Sequence, residues 1–383
     1  DLDPTLLWGY NGVYPGPTVE VTKNQRVAIR WANRLPPRHR LEIDGCLHGT
    51  KSTREHEAPP PAVVHVHGAR VPPQSDGYPE ATLLPGQSAT YDYPNIQNST
   101  TLWYHDHALG ITRLNVYLGL AGVYVIRDAS ETRLNLPSGA YEIPLVIQDR
   151  SFKSDASLYY PEEWQEEFFG DAILVNGKVW PYLNVEPRKY RFRILNGSNS
   201  RTYTLALDSG QPFYQIGTDA GLLVEPVEIA RLTLTSGERA DVIVDFSKRK
   251  GELHLINSAP APFPGDPGQG VIREVLQFRV SGVTGDDSAL PSKLEQSLRL
   301  REDAAVKFRT FNLDMLEEKP RCTEAGFRWL INGLGWDDIT EYPEIGTTEV
   351  WSLFNLSREV HPIHLHLVHF QILDRQPLMS DPS

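Results

Sequence analysis

Three pairs of histidines are the residues of this sequence best suited to metal chemistry. They are His65-Val-His67, His105-Asp-His107 and His364-Leu-His366, the last preceded by His361. Apolar and aromatic residues surround each pair and favour β-strands, on which residues two apart lie on one face, roughly 6.5 to 7 Å from each other. Neutral imidazole binds zinc, copper and iron. The pattern therefore predicts a multi-histidine metal site.

A purely structural role for these histidines is the simplest alternative. One pair alone could be buried polar packing, because a backbone carbonyl readily satisfies a core imidazole. Three such pairs among 12 histidines in 383 residues are improbable by chance. The remaining histidines stand alone and are predicted to be non-ligands: His39, His48, His56, His254 and His369.

Composition narrows the class of protein. The formal charge of −12, without clusters of Lys and Arg, argues against nucleic acid and anionic membrane as partners. No apolar run approaches membrane-spanning length. The chain opens Asp1-Leu-Asp-Pro, so we expect any export signal to be absent or already removed. The two cysteines, Cys46 and Cys322, could form one bridge or none, lie in no metal-binding spacing and do not fix the compartment.

An internal repeat predicts the domain organisation. An Asn-Gly turn begins a strand–turn–strand pattern at residues 11–12, 176–177 and 332–333, and each copy leads to a strand that ends in asparagine: Asn33, Asn196 and Asn355. The class is all-β, with three antiparallel sandwiches or barrels. We predict a first repeat with two histidine pairs (residues 1–140), a second without ligands that serves as a spacer (141–282), a linker (283–307) and a third (308–383). The loop 259–270 and the segment 282–303 are expected to be flexible connections.

The third repeat is expected to be incomplete. The first needs more than a hundred residues from its Asn-Gly turn to its closing strand, whereas about fifty follow Asn332. The missing part corresponds to the strand that carries His105 and His107 in the first repeat. A lone half-sandwich would expose unpaired strand edges. We therefore expect this half to come from another polypeptide, or to belong to the full protein and to have been lost.

The motifs resemble those of the multicopper oxidases. His-Val-His-Gly from His65, Trp-Tyr-His-Asp-His from Trp103 and His-Pro-Ile-His-Leu-His from His361 resemble the first three of that family's four copper motifs. The runs at residues 75–80, 112–117 and 175–181 resemble the bacterial spore-coat laccase branch, and phenoxazinone synthase and bilirubin oxidase are similar in layout. The resemblance implies three cupredoxin-like Greek-key β-sandwich domains, the third incomplete in this chain.

The resemblance also implies a role for each histidine in a four-copper site. It implies a type 2 copper at His65 and His364, a type 3 pair at His67, His105, His107 and His366, and a type 1 copper at His361. Asp76, in Ser-Asp-Gly-Tyr-Pro, matches an acidic residue that would move protons to reduced oxygen, although Asp before Gly also favours a turn by itself. Asp106 is expected to be an outer-shell or solvent-facing group. The fourth motif, Trp-His-Cys-His, has no counterpart, and neither cysteine lies beside a histidine motif.

The function implied is that of a laccase-type oxidase. It would take single electrons from phenols or aromatic amines and reduce dioxygen to water, with a C-terminal fragment or companion chain supplying the missing motif. The family resemblance suggests an extracytoplasmic, secreted or spore-coat location. Two other functions remain open: a zinc-dependent hydrolase, since paired histidines with a third also bind zinc, and a non-catalytic copper-binding or coat protein.

Overall fold

A computed structural model describes residues 4–45, 47, 50, 59–162, 165–283, 285–295, 299–317 and 327–378. The chain forms two compact units. Unit 1 comprises Asp1–Glu295 with Pro362–Val368, and unit 2 comprises Gln296–His361 with His369–Ser383. His48, His56 and both cysteines lie outside the described residues.

The first repeat forms two sheets around an aromatic and β-branched core. One sheet has the strand order β1-β6-β5-β3 and the other pairs β2 with β4. Their inward faces share one core, to which the first sheet contributes Val66 and Tyr104 and the second contributes Tyr91 and Tyr93. The strands are β1 (Gly16–Thr22), β2 (Val27–Ala32), β3 (Val64–His67), β4 (Ser88–Tyr93), β5 (Thr100–Asp106) and β6 (Ala121–Arg127), and the helices are α1 (Thr112–Leu118) and α2 (Ala129–Thr132). Short 3-10 turns lie at Tyr10–Gly12, Pro73–Ser75 and Gly139–Tyr141.

The second repeat builds a larger sandwich in the same unit. Its strands are β7 (Glu142–Phe152), β8 (Leu158–Tyr159), β9 (Ala172–Val175), β10 (Lys178–Val179), β11 (Tyr182–Val185), β12 (Lys189–Asn196), β13 (Tyr203–Leu207), β14 (Phe213–Thr218), β15 (Gly221–Ile229), β16 (Leu232–Leu234), β17 (Arg239–Asp245), β18 (Gly251–Asn257) and β19 (Glu274–Val280). One sheet has the order β10-β9-β7-β12-β17-β14-β15, with β8 paired to β7, and the other has the order β11-β19-β18-β13-β16. The prediction of an all-β fold is confirmed.

The two repeats of unit 1 have matching strand orders. In the first, β1 runs parallel to β6, β6 antiparallel to β5, and β5 antiparallel to β3. In the second, β11, β19, β18 and β13 repeat these directions in the same order. Each sheet is mostly antiparallel and contains one parallel pair, because β6 returns beside β1, and β19 beside β11, in the same direction.

Unit 2 contains a three-stranded sheet, β21-β20-β22. Its strands are β20 (Lys307–Glu317), β21 (Phe327–Ile331) and β22 (Glu349–Asn355), after a 3-10 turn at Glu302–Ala304. β20 runs antiparallel to β21 and parallel to β22, as β7 does with β9 and β12 in the second repeat. Many large apolar side chains of this unit are exposed, among them Phe308, Trp336 and Phe370.

Asparagines account for the turns that mark each repeat. The residues of all three Asn-Gly pairs have positive φ, as predicted for tight turns. The strand-end asparagines act in one further way, because the side-chain oxygen of each accepts a hydrogen bond from the backbone N–H two residues later. These bonds run from Leu35 to Asn33, from Ser198 to Asn196 and from Ser357 to Asn355.

Two local predictions differ from the structure. Part of the segment expected to be a flexible linker is anchored to unit 1: the N–H groups of Ala289 and Leu294 donate to Asn135 and Val224, and Leu294 joins an apolar cluster. The strand predicted around His364 and His366 does not form, and residues 356–378 contain no strand. Within the described residues this segment has no neighbouring strand to supply a ladder of hydrogen bonds, and Leu367 has a positive φ of 71°. No helix among the described residues is long and apolar enough to cross a membrane.

Candidate metal centre

Two neighbouring strands of the first repeat bring four imidazoles together. The register of β3 and β5 sets His65 directly opposite His105. The rings of His65 and His105 lie 5.6 Å apart between centroids, and those of His65 and His107 lie 5.0 Å apart. His67 lies on the same face of β3 as His65, with its ring 5.8 Å away. The alternation of strand side chains thus produces the clustering that the sequence predicted for these pairs.

The C-terminal histidine pair stacks on the pair of β3. The ring of His364 lies 3.6 Å from that of His67 at an interplanar angle of 17°, and the ring of His366 lies 4.1 Å from that of His65 at 20°. Residues 362–368 belong to unit 1 with the other four histidines. The structure therefore gathers six of the seven predicted ligands, although a loop, not a strand, positions the last two.

The imidazole nitrogens of this group fit a metal site. The ligand atoms of His65, His364 and His366 all lie within 4.8 Å of one another, as do those of His65, His67 and His105. Within the part of the chain that the structure describes, four buried ring nitrogens have no hydrogen-bond partner: Nε2 of His65, His105 and His364, and Nδ1 of His107. Buried polar atoms rarely lack a partner, so these nitrogens suit a ligand. Soft or borderline metals such as copper and zinc prefer such nitrogen donors.

Hydrogen bonds to backbone carbonyls fix the orientation of two rings. Nδ1 of His65 donates to the Asp76 carbonyl at 2.6 Å, and Nδ1 of His105 donates to the Asp106 carbonyl at 2.7 Å. A carbonyl oxygen only accepts, so Nδ1 carries the proton in each neutral ring and Nε2 presents a lone pair. Both rings are thereby set to bind a metal through Nε2.

Burial keeps other imidazoles of the group in the neutral form. Desolvation, followed by the positive charge of Arg239, lowers the pKa of His67 well below its ordinary value. Desolvation, followed by the neighbouring histidines, lowers the pKa of His107 to about 4 and that of His364 to about 3. A metal ion competes with a proton for each nitrogen, so these rings remain available to a metal at neutral pH.

Asp76 lies at the edge of the histidine group. Its Oδ2 accepts a hydrogen bond from Nδ1 of His366 at 2.7 Å. Oδ1 lies 3.3 Å from Nδ1 of His65 but makes no hydrogen bond, because that N–H points to the Asp76 carbonyl. Burial opposes ionisation of Asp76, but the hydrogen bond from His366 and the close approach of His65 outweigh it and lower the pKa. The following Gly77 has φ of +77°, and a Cβ there would lie 2.1 Å from the Val64 carbonyl oxygen. The Asp-Gly turn and the contact with the histidines are therefore parts of one structure.

Asp106 is fully buried and not solvent-facing. It accepts hydrogen bonds from the N–H groups of Val63 and Ala108 and from the side chain of Asn115. Desolvation raises its pKa to about 7 despite these bonds. The carboxylate ties the chain before β3 to the residue after His107, and so helps to hold two histidine-bearing segments together.

Two side chains near the histidines were not predicted from the sequence. The Trp103 indole stacks on His105 with ring centroids 4.0 Å apart. Arg239, from the second repeat, lies close enough for its charge to lower the pKa of His67 and of His364. Only the run Ser236-Gly-Glu-Arg-Ala-Asp, which places a charged residue at the start of a buried strand, could have drawn attention to Arg239.

His361 belongs to unit 2 and has different neighbours. Its ring meets Trp329 edge-on with centroids 4.5 Å apart, and its Nε2 lies 2.8 Å from Oγ of Ser357. Two of the histidines predicted to be non-ligands have polar partners: His39 contacts Leu41 and Asn115, and His254 contacts Asp208.

Comparison with known proteins identifies the family. The fold and the grouped imidazoles describe a metal-binding β-sandwich protein. Models of multicopper oxidase domains match residues 2–58 and 53–131, 148–270 and 319–383. The chain belongs to the multicopper oxidase family.

Individual relatives agree with this assignment. A laccase of Bacillus subtilis (strain 168) is 45% identical over 402 residues, which cover 98% of this chain and 77% of the relative. A laccase of Haloferax volcanii is 40% identical, with 100% of this chain and 69% of the relative covered. The crystal structure of the McoA multicopper oxidase from Aquifex aeolicus matches with a TM-score of 0.77 and 31% identity, covering 94% of this chain and 76% of that one.

These comparisons confirm the predicted enzyme class. The protein is a laccase-like multicopper oxidase, an oxidoreductase that binds copper and uses a reducing substrate and dioxygen. Its fold is the cupredoxin-like β-sandwich of this family, as the sequence predicted.

Proposed function

We propose that six histidines hold a cluster of three copper ions. The type 2 copper would be bound by His65 and His364, and the type 3 pair by His67, His105, His107 and His366. The observation that carries the proposal is the meeting of three histidine pairs with buried, unpaired ring nitrogens. Copper bound there would supply one-electron redox chemistry, so that four electrons reach dioxygen and water is formed.

The protein's own residues would prepare this site in two ways. The carbonyls of Asp76 and Asp106 hold His65 and His105 in the tautomer that leaves Nε2 free. Asp76 is proposed to pass protons toward the reduced oxygen, since its Oδ1 has no hydrogen bond while Oδ2 is fixed by His366.

His361 is proposed to be a ligand of the type 1 copper, which accepts electrons from the donor. Such a site also needs a thiolate, and neither Cys46 nor Cys322 lies beside a histidine motif. The thiolate and the remaining type 1 and type 3 ligands are therefore proposed to come from polypeptide outside these 383 residues, giving four copper ions in all. We retain the domain limits 1–140, 141–282 and 308–383, with 283–307 between the last two, as part of this proposal.

The donor is proposed to be a small phenol or aromatic amine. The two relatives described above are laccases, and the structure of CueO from Ochrobactrum, 26% identical, is described as having oxidase activity towards lignin model compounds. Oxygen uptake with a series of substituted phenols would test this assignment on the protein supplied with the polypeptide that carries the remaining copper ligands, and the rate is expected to increase as the phenol becomes easier to oxidise. A rate independent of the donor would contradict it.

Copper titration of the protein tests the metal assignment. The wild type is expected to retain copper against a competing chelator and to prefer it to zinc, and His65→Ala and His364→Ala are each expected to lose tightly bound copper. His254→Ala is the matched control, because that histidine is paired with Asp208 in the second repeat. Unchanged copper content in both site variants, or a preference for zinc, would contradict the proposal.

The role of Asp76 has a separate test. Asp76→Asn is expected to keep the copper content while oxygen turnover falls roughly a hundredfold, the usual scale for losing a proton-transfer group. The solvent isotope effect on turnover should increase in the variant. Full turnover in Asp76→Asn would show that this residue only forms the turn before Gly77.

A further inference from the structure

The second repeat has no histidine in the metal centre, but it places a buried arginine there. Arg239 is the first residue of β17 and is 4% exposed. The sequence predicted this repeat to be a spacer. The contacts of Arg239 suggest that the repeat has a more specific role in the metal centre.

The Arg239 guanidinium binds three backbone carbonyls. Nε donates to Thr101 at 3.1 Å, Nη1 to Gly237 at 3.0 Å and Nη2 to Asp219 at 3.2 Å. Thr101 lies in β5, the strand that carries His105, and its hydroxyl accepts a second hydrogen bond from Arg193 at 2.6 Å. Two arginines of the second repeat thus bind the carbonyl and the hydroxyl of Thr101, near the start of the strand that carries His105.

Two glycines allow the guanidinium and its turn to approach the histidines closely. A Cβ on Gly68, the residue after His67, would lie 2.8 Å from Nη2 of Arg239. A Cβ on Gly237 would lie 3.6 Å from Cε1 of His67. The arginine therefore packs directly against the backbone next to His67, and the turn that it binds covers the ring.

The positive charge of Arg239 is buried, whereas the carboxylate that pairs with it is partly exposed to solvent. Its partner carboxylate, Asp219, contacts Nη1 at 2.7 Å but is 44% exposed, whereas the arginine side chain is 3% exposed. Water screens the carboxylate better than it screens the buried guanidinium. A net positive potential therefore remains on the histidine side, where Nη2 of Arg239 packs against Gly68, the residue after His67.

We propose that Arg239 is a positioning residue of the metal centre, which fixes β5 beside β3 and supplies a permanent positive charge next to His67. This inference rests on the proposed function, because it assumes that the histidines bind copper. A fixed positive charge beside the metals would favour the binding of anionic ligands at the cluster. Hydrogen bonds from a planar guanidinium to three carbonyls are a geometry that lysine cannot reproduce.

Azide binding to the copper-loaded protein tests the charge. In Arg239→Met, azide affinity, measured from the azide-to-copper charge-transfer absorption, should fall about tenfold, the scale of one partly screened charge interaction. Arg239→Lys should stay within about threefold of the wild type because the charge remains. Copper content and the cupric paramagnetic spectrum are recorded for each variant, so that lost copper is not mistaken for weak azide binding.

Arg201→Met is the matched control. Arg201 is also a buried arginine of the second repeat that binds one carboxylate and two carbonyls, those of Asp149, Gly170 and Gly270. It should reduce thermal stability about as much as Arg239→Met and leave azide affinity unchanged. Equal azide affinities in the two methionine variants would overturn the charge proposal.

Hydrogen exchange in the copper-free protein tests the positioning. The amides of residues 101–105 should exchange faster in Arg239→Met and Arg239→Lys than in the wild type or Arg201→Met. Unchanged protection in both Arg239 variants would overturn the positioning role. Because this measurement needs no copper, it separates failure of this inference from failure of the wild type to bind copper. Arg239→Lys still tests the positioning if Arg239→Met does not fold, and Arg239→Gln then replaces Arg239→Met as the uncharged variant in the azide measurement.

Discussion

The strand pair β3–β5 of the first repeat and the pair β13–β18 of the second occupy the same place in the same topology. In the second repeat this pair packs Leu205, Leu207 and Leu255 into an apolar core. In the first repeat the corresponding strands carry the histidines of the metal centre. Val64, Val66 and Tyr104 of the first pair also face an apolar core, so the metal centre occupies the other face of strands that still support a core.

The difference between the two pairs lies in what each needs to be stable. The leucines require only burial, which is worth about 1.5 to 3 kcal/mol for each side chain. The imidazoles leave buried ring nitrogens without partners, each at a cost of about 1 to 3 kcal/mol unless a ligand is bound. Stability at the first pair should therefore depend on metal, and stability at the second should not.

The largest expected effect comes from truncating a leucine of the β13–β18 pair, which binds no metal in the proposal. Leu205 is fully buried, so Leu205→Ala should lower the free energy of unfolding by about 3 kcal/mol through lost burial and a residual cavity. Urea denaturation should give the same loss with and without copper. Val179→Ala, at an exposed site of the same repeat, is the control and should change little. A loss that depended on copper would contradict the contrast between the pairs.

Copper binding should stabilise the β3–β5 pair and leave the β13–β18 pair unchanged. At a free copper concentration of about one hundred times the dissociation constant, the free energy of unfolding should rise by about 2.7 kcal/mol. Hydrogen exchange should slow at β3 and β5 on copper addition and remain unchanged at β13 and β18. Equal protection of both pairs would mean that copper stabilises the unit as a whole.

Much of this contrast was predictable from the sequence. Period-two spacing predicted the shared face of His65 and His67, and the Asn-Gly pairs predicted the tight turns with positive φ. The path of the chain at His364 and His366 was not predictable, because an apolar run indicates a strand only where another strand is available to pair with it. The contacts of Arg239 with Thr101 also escaped prediction, since they join residues 138 positions apart and follow from packing between repeats.

A buried charge network connects the two repeats and makes stability depend on pH. Glu142 of β7 accepts hydrogen bonds from Arg193 and Arg127. Burial opposes ionisation of Glu142, but the charges of Arg193, Arg127 and Arg191 outweigh it and lower the pKa from 4.5 to about 2. Because the pKa is lower in the folded state, this stabilisation is complete above pH 4.5 and is lost as pH falls from about 4.5 to about 2.

The expected loss from Glu142 is about 3 kcal/mol, measured by urea denaturation of the copper-free protein. Glu142→Gln should lower stability at neutral pH and flatten its dependence on pH in this range. Asp303→Asn is the control, because Asp303 is exposed and pairs only with Arg301 among its described contacts. Since Arg193 also binds Thr101 of β5, hydrogen exchange at low pH should increase at β5 before β13. An unchanged pH dependence in Glu142→Gln would assign the acid sensitivity to other groups.

The smallest predicted effect comes from a substitution that gives the β3–β5 pair an apolar side chain like those of the β13–β18 pair. His105→Leu gives β5 an apolar side chain like those of β18 and removes an unpaired Nε2. In the copper-free protein this should raise the free energy of unfolding by about 1 kcal/mol, because an unsatisfied polar atom is replaced by a buried apolar group. The same variant should lose the stabilisation by copper. Leu255→His should instead destabilise β18, because Leu255 faces the apolar core and no metal ligands converge there among the described residues. If His105→Leu instead destabilised the copper-free protein, the histidine would be satisfied without metal, and the two strand pairs would differ in chemistry but not in their need for a ligand.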